Sequence, residues 1–186
     1  MNIIITRHGQ TDWNLSGRMQ GQTDTVLNET GRAQAIEIAN KIKDEHIDLI
    51  FCSLLTRAYE TACIINKNYN VPIYKDGRLN ERDLSIVEGC TRPGIALLKQ
   101  VYPNIADALK MISDDCVAGI ESTSSFCKRI YEFLDETIKN QYGKSILIVT
   151  HAGVTIPIQY YFSKDKSQEL SRIKGLNNCE YIKYQI

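Results

Sequence analysis

Arg7, His8 and Gly9 follow directly on the run Ile3-Ile4-Ile5-Thr6, and these residue types in that place point to phosphate chemistry. An arginine offers a planar fork of donors that can clamp a phosphoryl group, and a histidine has a ring nitrogen able to attack phosphorus near neutral pH. The glycine lets the backbone come close. The pattern returns late in the chain, where Thr150-His151-Ala152-Gly153 follows Ile146-Leu147-Ile148-Val149. A third place is Ser53-Leu54-Leu55-Thr56-Arg57, which follows Leu49-Ile50-Phe51-Cys52 and puts Arg57 in the first turns of a predicted helix. Helix N-termini favour anions. Arg57 could equally be a helix-surface arginine paired to Glu60 or Glu37. Leu79-Asn80-Glu81-Arg82-Asp83 adds Glu81 or Asp83 as a possible proton donor. The remaining histidine, His46, lies in Lys43-Asp44-Glu45-His46 and reads as a solvated surface group.

These residues need elements to hold them. The β-branched Ile3-Ile4-Ile5 reads as a buried central strand, so Arg7, His8 and Gly9 lie at or beyond its carboxyl end, where open α/β sheets bind ligands. Residues 9–27 read as a polar loop too rich in Asn, Gln, Thr and Gly to be a packed element. Arg32 to Ile42 carries alanines and isoleucines at helical spacing, with Asn28 or Thr30 as its cap. Strand 48–52 leads to a helix with Leu54, Leu55, Ala58, Ala62 and Ile65 on one side. Residues 71–74 form a weaker strand, 77–94 a long loop with short elements, and two or three helices come next between Ile95 and Tyr142. Residues 145–150 read as a second central strand and 179–184 as an edge strand. Interleaved strands and helices predict a three-layer α/β/α sandwich with a mostly parallel central sheet.

Size and composition narrow the function. A chain of 186 residues is expected to be one domain that buries on the order of 70% of its unfolded surface. Lysines plus arginines number 22, as do aspartates plus glutamates, so no global field recruits nucleic acid or an anionic membrane. Cys52, Cys63, Cys90, Cys116, Cys127 and Cys179 form no CxxC pair and read as reduced, buried thiols. The first apolar run ends at Ile5, which does not resemble a secretion signal, and no stretch reaches the ~18 apolar residues of a membrane span. The expected location is the cytoplasm. Tyr102, Tyr160 and Tyr161 could form a homodimer interface or belong to the core.

Together these pieces resemble the histidine phosphatase superfamily, the branch with cofactor-dependent phosphoglycerate mutases and small bacterial phosphatases. The opening pattern is Arg7-His8-Gly9-Gln10-Thr11-Asp12-Trp13-Asn14, then Arg18-Met19-Gln20-Gly21, Asp24, Leu27-Asn28-Glu29-Thr30-Gly31 and Gln34-Ala35. Later motifs correspond to Ser53 through Ala62, Leu79-Asn80-Glu81 through Glu88-Gly89, Gly119-Ile120-Glu121-Ser122 and Thr150-His151-Ala152-Gly153-Val154. The resemblance implies a phosphoglycerate mutase-like fold over residues 1–186, with a short helical cap over 90–119. It implies that His8 is the nucleophile and becomes a phosphohistidine. Arg7, Arg57 and a protonated His151 would line the phosphate pocket, and Glu81 would protonate the leaving oxygen and then activate water. Asn14, Gln20, Gly21 and Ala152 would add substrate contacts. No metal or other cofactor is needed for that division of labour, since cationic side chains can neutralise the equatorial oxygens.

Several positions depart from the pattern. Leu54 stands for a common proline, Ser85 and Val87 for a usual glycine and tryptophan, and Ala152 for a usual glycine. Ser85 and Val87 are expected near the substrate mouth. The cap is short, with Arg92 and Lys99 as its few early cations, whereas mutases of this branch carry an extended insertion. The expected activity is therefore a metal-independent phosphatase for small phosphomonoesters, including α-ribazole phosphatase or broad-specificity types. The alternatives are a phosphoglycerate mutase, or a regulatory phosphatase acting on phosphohistidine or phosphotyrosine of a protein.

Overall fold

The computed structural model describes residues 1–112 and 117–186. Five strands form one sheet: β1 (Asn2–Arg7), β2 (Leu49–Cys52), β3 (Ile73–Lys75), β4 (Ser145–Thr150) and β5 (Tyr181–Gln185). Their order is β3-β2-β4-β1-β5, and only β5 runs antiparallel to its neighbour β1. The two isoleucine-rich runs therefore lie side by side at the centre. Their register pairs Ile3 with Ile146 and Arg7 with Thr150, so the residue after each strand, His8 and His151, emerges at the same edge of the sheet.

Alternation along these strands sends side chains to both faces. Ile3, Ile5, Ile146 and Ile148 pack against Phe126, Ile130, Phe133 and Leu134 of α6 (Thr123–Asn140) and against Val154 and Ile158 of α7 (Ala152–Phe162). Ile4, Leu147 and Val149 face Ile38 and Ala39 of α2 (Glu29–Lys41) and Ala58, Ala62 and Ile65 of α3 (Thr56–Asn66). Asn28, rather than Thr30, caps α2, its side chain accepting from the Gly31 N–H at 2.8 Å. The predicted layers are thus present, with helices on both faces of a mostly parallel sheet.

The 9–27 segment departs from the expected unpacked loop. It contains a helical turn, α1 (Asp12–Leu15), closed by a reciprocal capping box between Thr11 and Asn14, and it buries Thr11, Gln20, Gly21 and Leu27. Polar composition hides this because the packing uses hydrogen bonds as much as apolar area. The stretch expected as a loop over 77–94 holds single helical turns at 77–79 and 85–87 and already enters α4 (Arg92–Leu98) at Arg92, with α5 (Ile105–Leu109) next. Leu84, Val87, Ile105, Ala108 and Ile120 make a separate small core there.

Tyr102 packs against that small core and Tyr161 against the main one, where its hydroxyl meets Asp135. Tyr160 is half-buried, with its hydroxyl on the Lys166 carbonyl. Of the five cysteines among the described residues only Cys52 and Cys127 are fully buried. Cys63, Cys90 and Cys179 are half-buried, which corrects the expected uniform burial, and Cys116 lies outside the described residues. No helix among the described residues is long and apolar enough to cross a membrane.

Candidate active site

The carboxyl ends of β1, β2 and β4 meet at a cavity of about 280 Å³. Arg7, His8, Asn14, Gln20, Gly21, Arg57, Glu81, Ala152 and Gly153 stand on its wall. Of the residues that the resemblance assigns to the site, all but His151 stand on that wall. Its ring is fully buried and packs on the His8 ring, with centroids 5.1 Å apart, because it is the N-cap of α7 and its Nε2 is held inward.

The hydrogen bonds assign the tautomers of both imidazoles. His8 Nδ1 lies 2.7 Å from the Gly9 carbonyl oxygen, which can only accept, so Nδ1 carries the proton and Nε2 keeps a free lone pair. For His151 the chain of reasoning is longer. Asn80 Oδ1 accepts from the Leu54 N–H at 2.9 Å and therefore is an oxygen. Ser53 Oγ, 2.8 Å away, must donate its single proton to it. Ser53 Oγ is then only an acceptor towards His151 Nε2 at 2.8 Å, so Nε2–H donates and a neutral His151 has an unprotonated Nδ1.

Charge agrees with these assignments. Burial, followed by the charges of Arg7 and Arg57, holds His8 well below the ordinary imidazole value. Burial, then Arg57, does the same for His151. Burial and the two arginines thus favour the neutral form of both rings, whereas the resemblance implies a protonated His151. Burial also pushes Arg57 down to about 10, which leaves it cationic at neutral pH.

Arg57 is completely buried and is not the surface partner of Glu60. Glu60 instead pairs with Arg32 at 2.7 Å. Arg57 Nη2 donates to the Gly21 carbonyl at 2.7 Å and Nη1 to that of Thr23 at 2.9 Å. Arg7 Nη1 donates to the Leu176 carbonyl at 3.1 Å. Three buried side-chain polar atoms among the described residues lack any partner: Arg7 Nε, Arg57 Nε and His151 Nδ1. All three belong to this one site, although burying an unpaired donor or acceptor costs about 1–3 kcal/mol.

Glu81 reaches the wall because Gly153 leaves room. Its Oε2 accepts from the Gly153 N–H at 3.1 Å and its Oε1 from the Arg82 N–H at 2.9 Å, and a Cβ on Gly153 would collide with Oε1. Asp83, the other candidate donor, is exposed, is not on the cavity wall, and accepts from the Ser85 N–H. Asn14 Oδ1 accepts from Thr11 N–H and Asn178 Nδ2, and Gln20 Oε1 accepts from the Thr11 and Thr25 hydroxyls. Their amide NH₂ groups remain for the cavity.

Further residues support the site: Asp24, Glu88 and Glu121 stand within the family motifs without a role assigned to them, and Arg129 has no signature of its own in the sequence. Glu88 accepts from the backbone N–H groups of Gln22, Thr23 and Leu84, fixing the loop whose carbonyls hold Arg57. Gly21, at φ +52°, is required there, since a Cβ would run into the Glu88 carboxylate. Arg129 pairs with Glu121 at 2.8 Å and donates to the carbonyls of Arg78, Asn80 and Glu81. Asp24 caps α3 through the Thr56 N–H and hydroxyl.

The mouth also differs from expectation. Ser85 and Val87 are not on the cavity wall, and Val87 is wholly buried in the small core. Ser85 keeps the left-handed backbone suited to the glycine it replaces, at φ +48°. Arg92 and Lys99 are exposed and away from the cavity.

The sequence pattern of the histidine phosphatase superfamily (branch 1) matches residues 3–186. The chain belongs to that family. Phosphoserine phosphatase 1 of Hydrogenobacter thermophilus is 29% identical to this histidine phosphatase superfamily member over 186 residues, covering 97% of this chain and 84% of that protein. PhoE, an uncharacterized phosphatase of Bacillus subtilis, is 33% identical over 177 residues, 95% of this chain and 84% of its own. Among solved structures, a mycobacterial glucosyl-3-phosphoglycerate phosphatase in complex with VO3 superposes with a TM-score of 0.85 at 27% identity, covering 98% of this chain and 90% of that one.

Proposed function

We propose that this protein is a phosphatase that hydrolyses small phosphomonoesters through a phosphohistidine at His8. The observation that carries the reading is the placing of the unpartnered Arg7 Nε and Arg57 Nε on the wall of the cavity that His8 enters, with the unpartnered His151 Nδ1 on the ring packed behind His8. A phosphoryl group supplies acceptors to both arginines and, with a proton, satisfies His151 as well. The phosphatase names carried by relatives of this chain support the same reading.

In this reading His8 Nε2 attacks phosphorus in line, and the leaving oxygen takes a proton from Glu81. The Glu81 carboxylate then removes a proton from the water that cleaves the phosphohistidine, restoring His8. Arg7 and Arg57 meet the charge on the equatorial oxygens. Asn14, Gln20, Gly21 and the Ala152 backbone complete the binding surface. No three His, Cys, Asp or Glu side chains among the described residues gather to hold a metal ion, so the proposed charge neutralisation rests on the arginines. Residues 1–186 then act as one catalytic domain in the cytoplasm on a small phosphorylated metabolite, with the cap at 90–119 over the pocket.

The test is release of p-nitrophenol from p-nitrophenyl phosphate in excess EDTA. Activity retained in EDTA and abolished in His8→Ala supports the reading. A requirement for metal, or full activity in His8→Ala, refutes it, and turnover of phosphoglycerate dependent on 2,3-bisphosphoglycerate indicates a mutase instead.

A further inference from the structure

Beyond the phosphate-binding groups, the cavity is closed by Met19, Leu84, Leu109, Met111 and Ile156. These come from four separate places: the loop after α1, the 77–94 loop, the end of α5 with the residues just beyond it, and the second turn of α7. They put an apolar surface where the leaving group of a bound monoester must lie.

The cations at this mouth are already occupied or weakly placed. Arg82 is buried, and its Nε, Nη1 and Nη2 donate to the Glu121 carbonyl at 2.7 Å, the Ala108 carbonyl at 2.7 Å and the Thr123 hydroxyl at 3.3 Å. A guanidinium that ties the cap to α6 in this way is committed to the fold. Arg18 is exposed, and its Nη1 rests on the Gly89 carbonyl at 3.1 Å. An ion pair formed there is screened by water and worth little. A carboxylate carried into the apolar part of the cavity would lose hydration without gaining a matched partner.

We propose that the leaving group this site selects is an uncharged alcohol with an apolar, ring-sized face, and that monoesters with a second anionic group beside the ester are poor substrates. The inference rests on the phosphatase reading above and deepens it. Size agrees: about 280 Å³ is near the lower end of ligand pockets, ~300 Å³, enough for a phosphoryl group and one compact apolar group. The thioethers of Met19 and Met111 suit the edge of an aromatic ring.

The test compares kcat/KM of the purified full chain, in EDTA, for 2-phenylethyl phosphate, phosphoserine and 3-phosphoglycerate. The first two leave as primary alkoxides, so their difference reads the mouth rather than the chemistry. The expected preference for 2-phenylethyl phosphate over either anionic substrate is about tenfold or more. Leu109→Lys, and separately Met111→Lys as a second variant in case one folds poorly, should shift that ratio towards phosphoserine by about tenfold. Equal or better turnover of phosphoserine or 3-phosphoglycerate by the native protein, with His8→Ala inactive, overturns the selectivity and leaves the phosphatase reading intact. A ratio unmoved in both folded lysine variants overturns it too. No turnover of any of the three esters overturns this inference, and release of p-nitrophenol from p-nitrophenyl phosphate in EDTA then shows whether the phosphatase reading stands without it.

Discussion

Ser53 Oγ stands 2.8 Å from His151 Nε2 and, because its own proton goes to Asn80 Oδ1, it fixes which nitrogen of His151 is protonated. Ser53→Ala leaves that buried N–H without an acceptor and lets the tautomers mix. The expected loss in kcat/KM corresponds to about 1–3 kcal/mol, the cost of an unsatisfied buried group. Ring ¹⁵N shifts of His151 check the cause: one tautomer in the native protein, a mixture in Ser53→Ala. A single unchanged tautomer in the variant would remove the argument.

The bare Nδ1 of His151 has a consequence for binding. A dianion entering between Arg7 and Arg57 offsets the burial and cationic charge that keep the ring neutral, so His151 takes up a proton as phosphate binds. Calorimetry of inorganic phosphate binding at about pH 8, in buffers of different ionisation heat, should show uptake of about one proton. His151→Asn should abolish it. Proton release, or no exchange in the native protein, would contradict this.

Stability should depend on pH through the same two rings. His8 and His151 have lowered values in the folded protein, against about 6.5 unfolded. Below that pH the unfolded chain binds protons that the folded site refuses, so stability is full above about 6.5 and falls as pH drops towards the folded values. Each histidine contributes a slope approaching about 1.4 kcal/mol per pH unit in that window. Denaturation midpoints between pH 5 and 7.5 should show this fall, reduced in His8→Asn, and a flat profile in the native protein would refute the neutral pair.

Gly153→Ala separates helix stability from the position of Glu81. Alanine improves the propensity of α7 by roughly 1 kcal/mol, but its Cβ displaces the Glu81 carboxylate. The thermal midpoint should change little while turnover of an alkyl phosphate drops about 10²-fold, as loss of a positioned proton donor does. Glu81→Gln should give a similar loss, and an aryl phosphate should suffer less in both. Equal losses on both substrates would show that Glu81 does not serve the leaving group.

The sheet and the histidine pair were legible because isoleucine-rich runs in α/β proteins become central strands, and adjacent strands deliver their next residues together. Arg57 was ambiguous because helix phase cannot reveal that Glu60 prefers Arg32. The 9–27 segment hid its packing because Glu88, 65 residues beyond Thr23, clamps its far end. Val87 was expected at the mouth from its place in the family pattern, but the left-handed turn at Ser85 accompanies its burial in the small core, and Leu84 stands at the mouth instead. Asn80 sat inside a motif without a readable role, and nothing near Arg129 distinguished it from a helix-surface cation.

The central claim is that His8 Nε2 forms a bond to phosphorus. Rapid quenching of the enzyme with a ³²P-labelled monoester in EDTA tests it directly, since phosphohistidine survives alkali and is lost in acid. The account predicts an alkali-stable, acid-labile label on the peptide containing His8, formed and discharged at the rate of turnover and missing from His8→Ala. Turnover without any such label, or a label elsewhere in the chain, would contradict it.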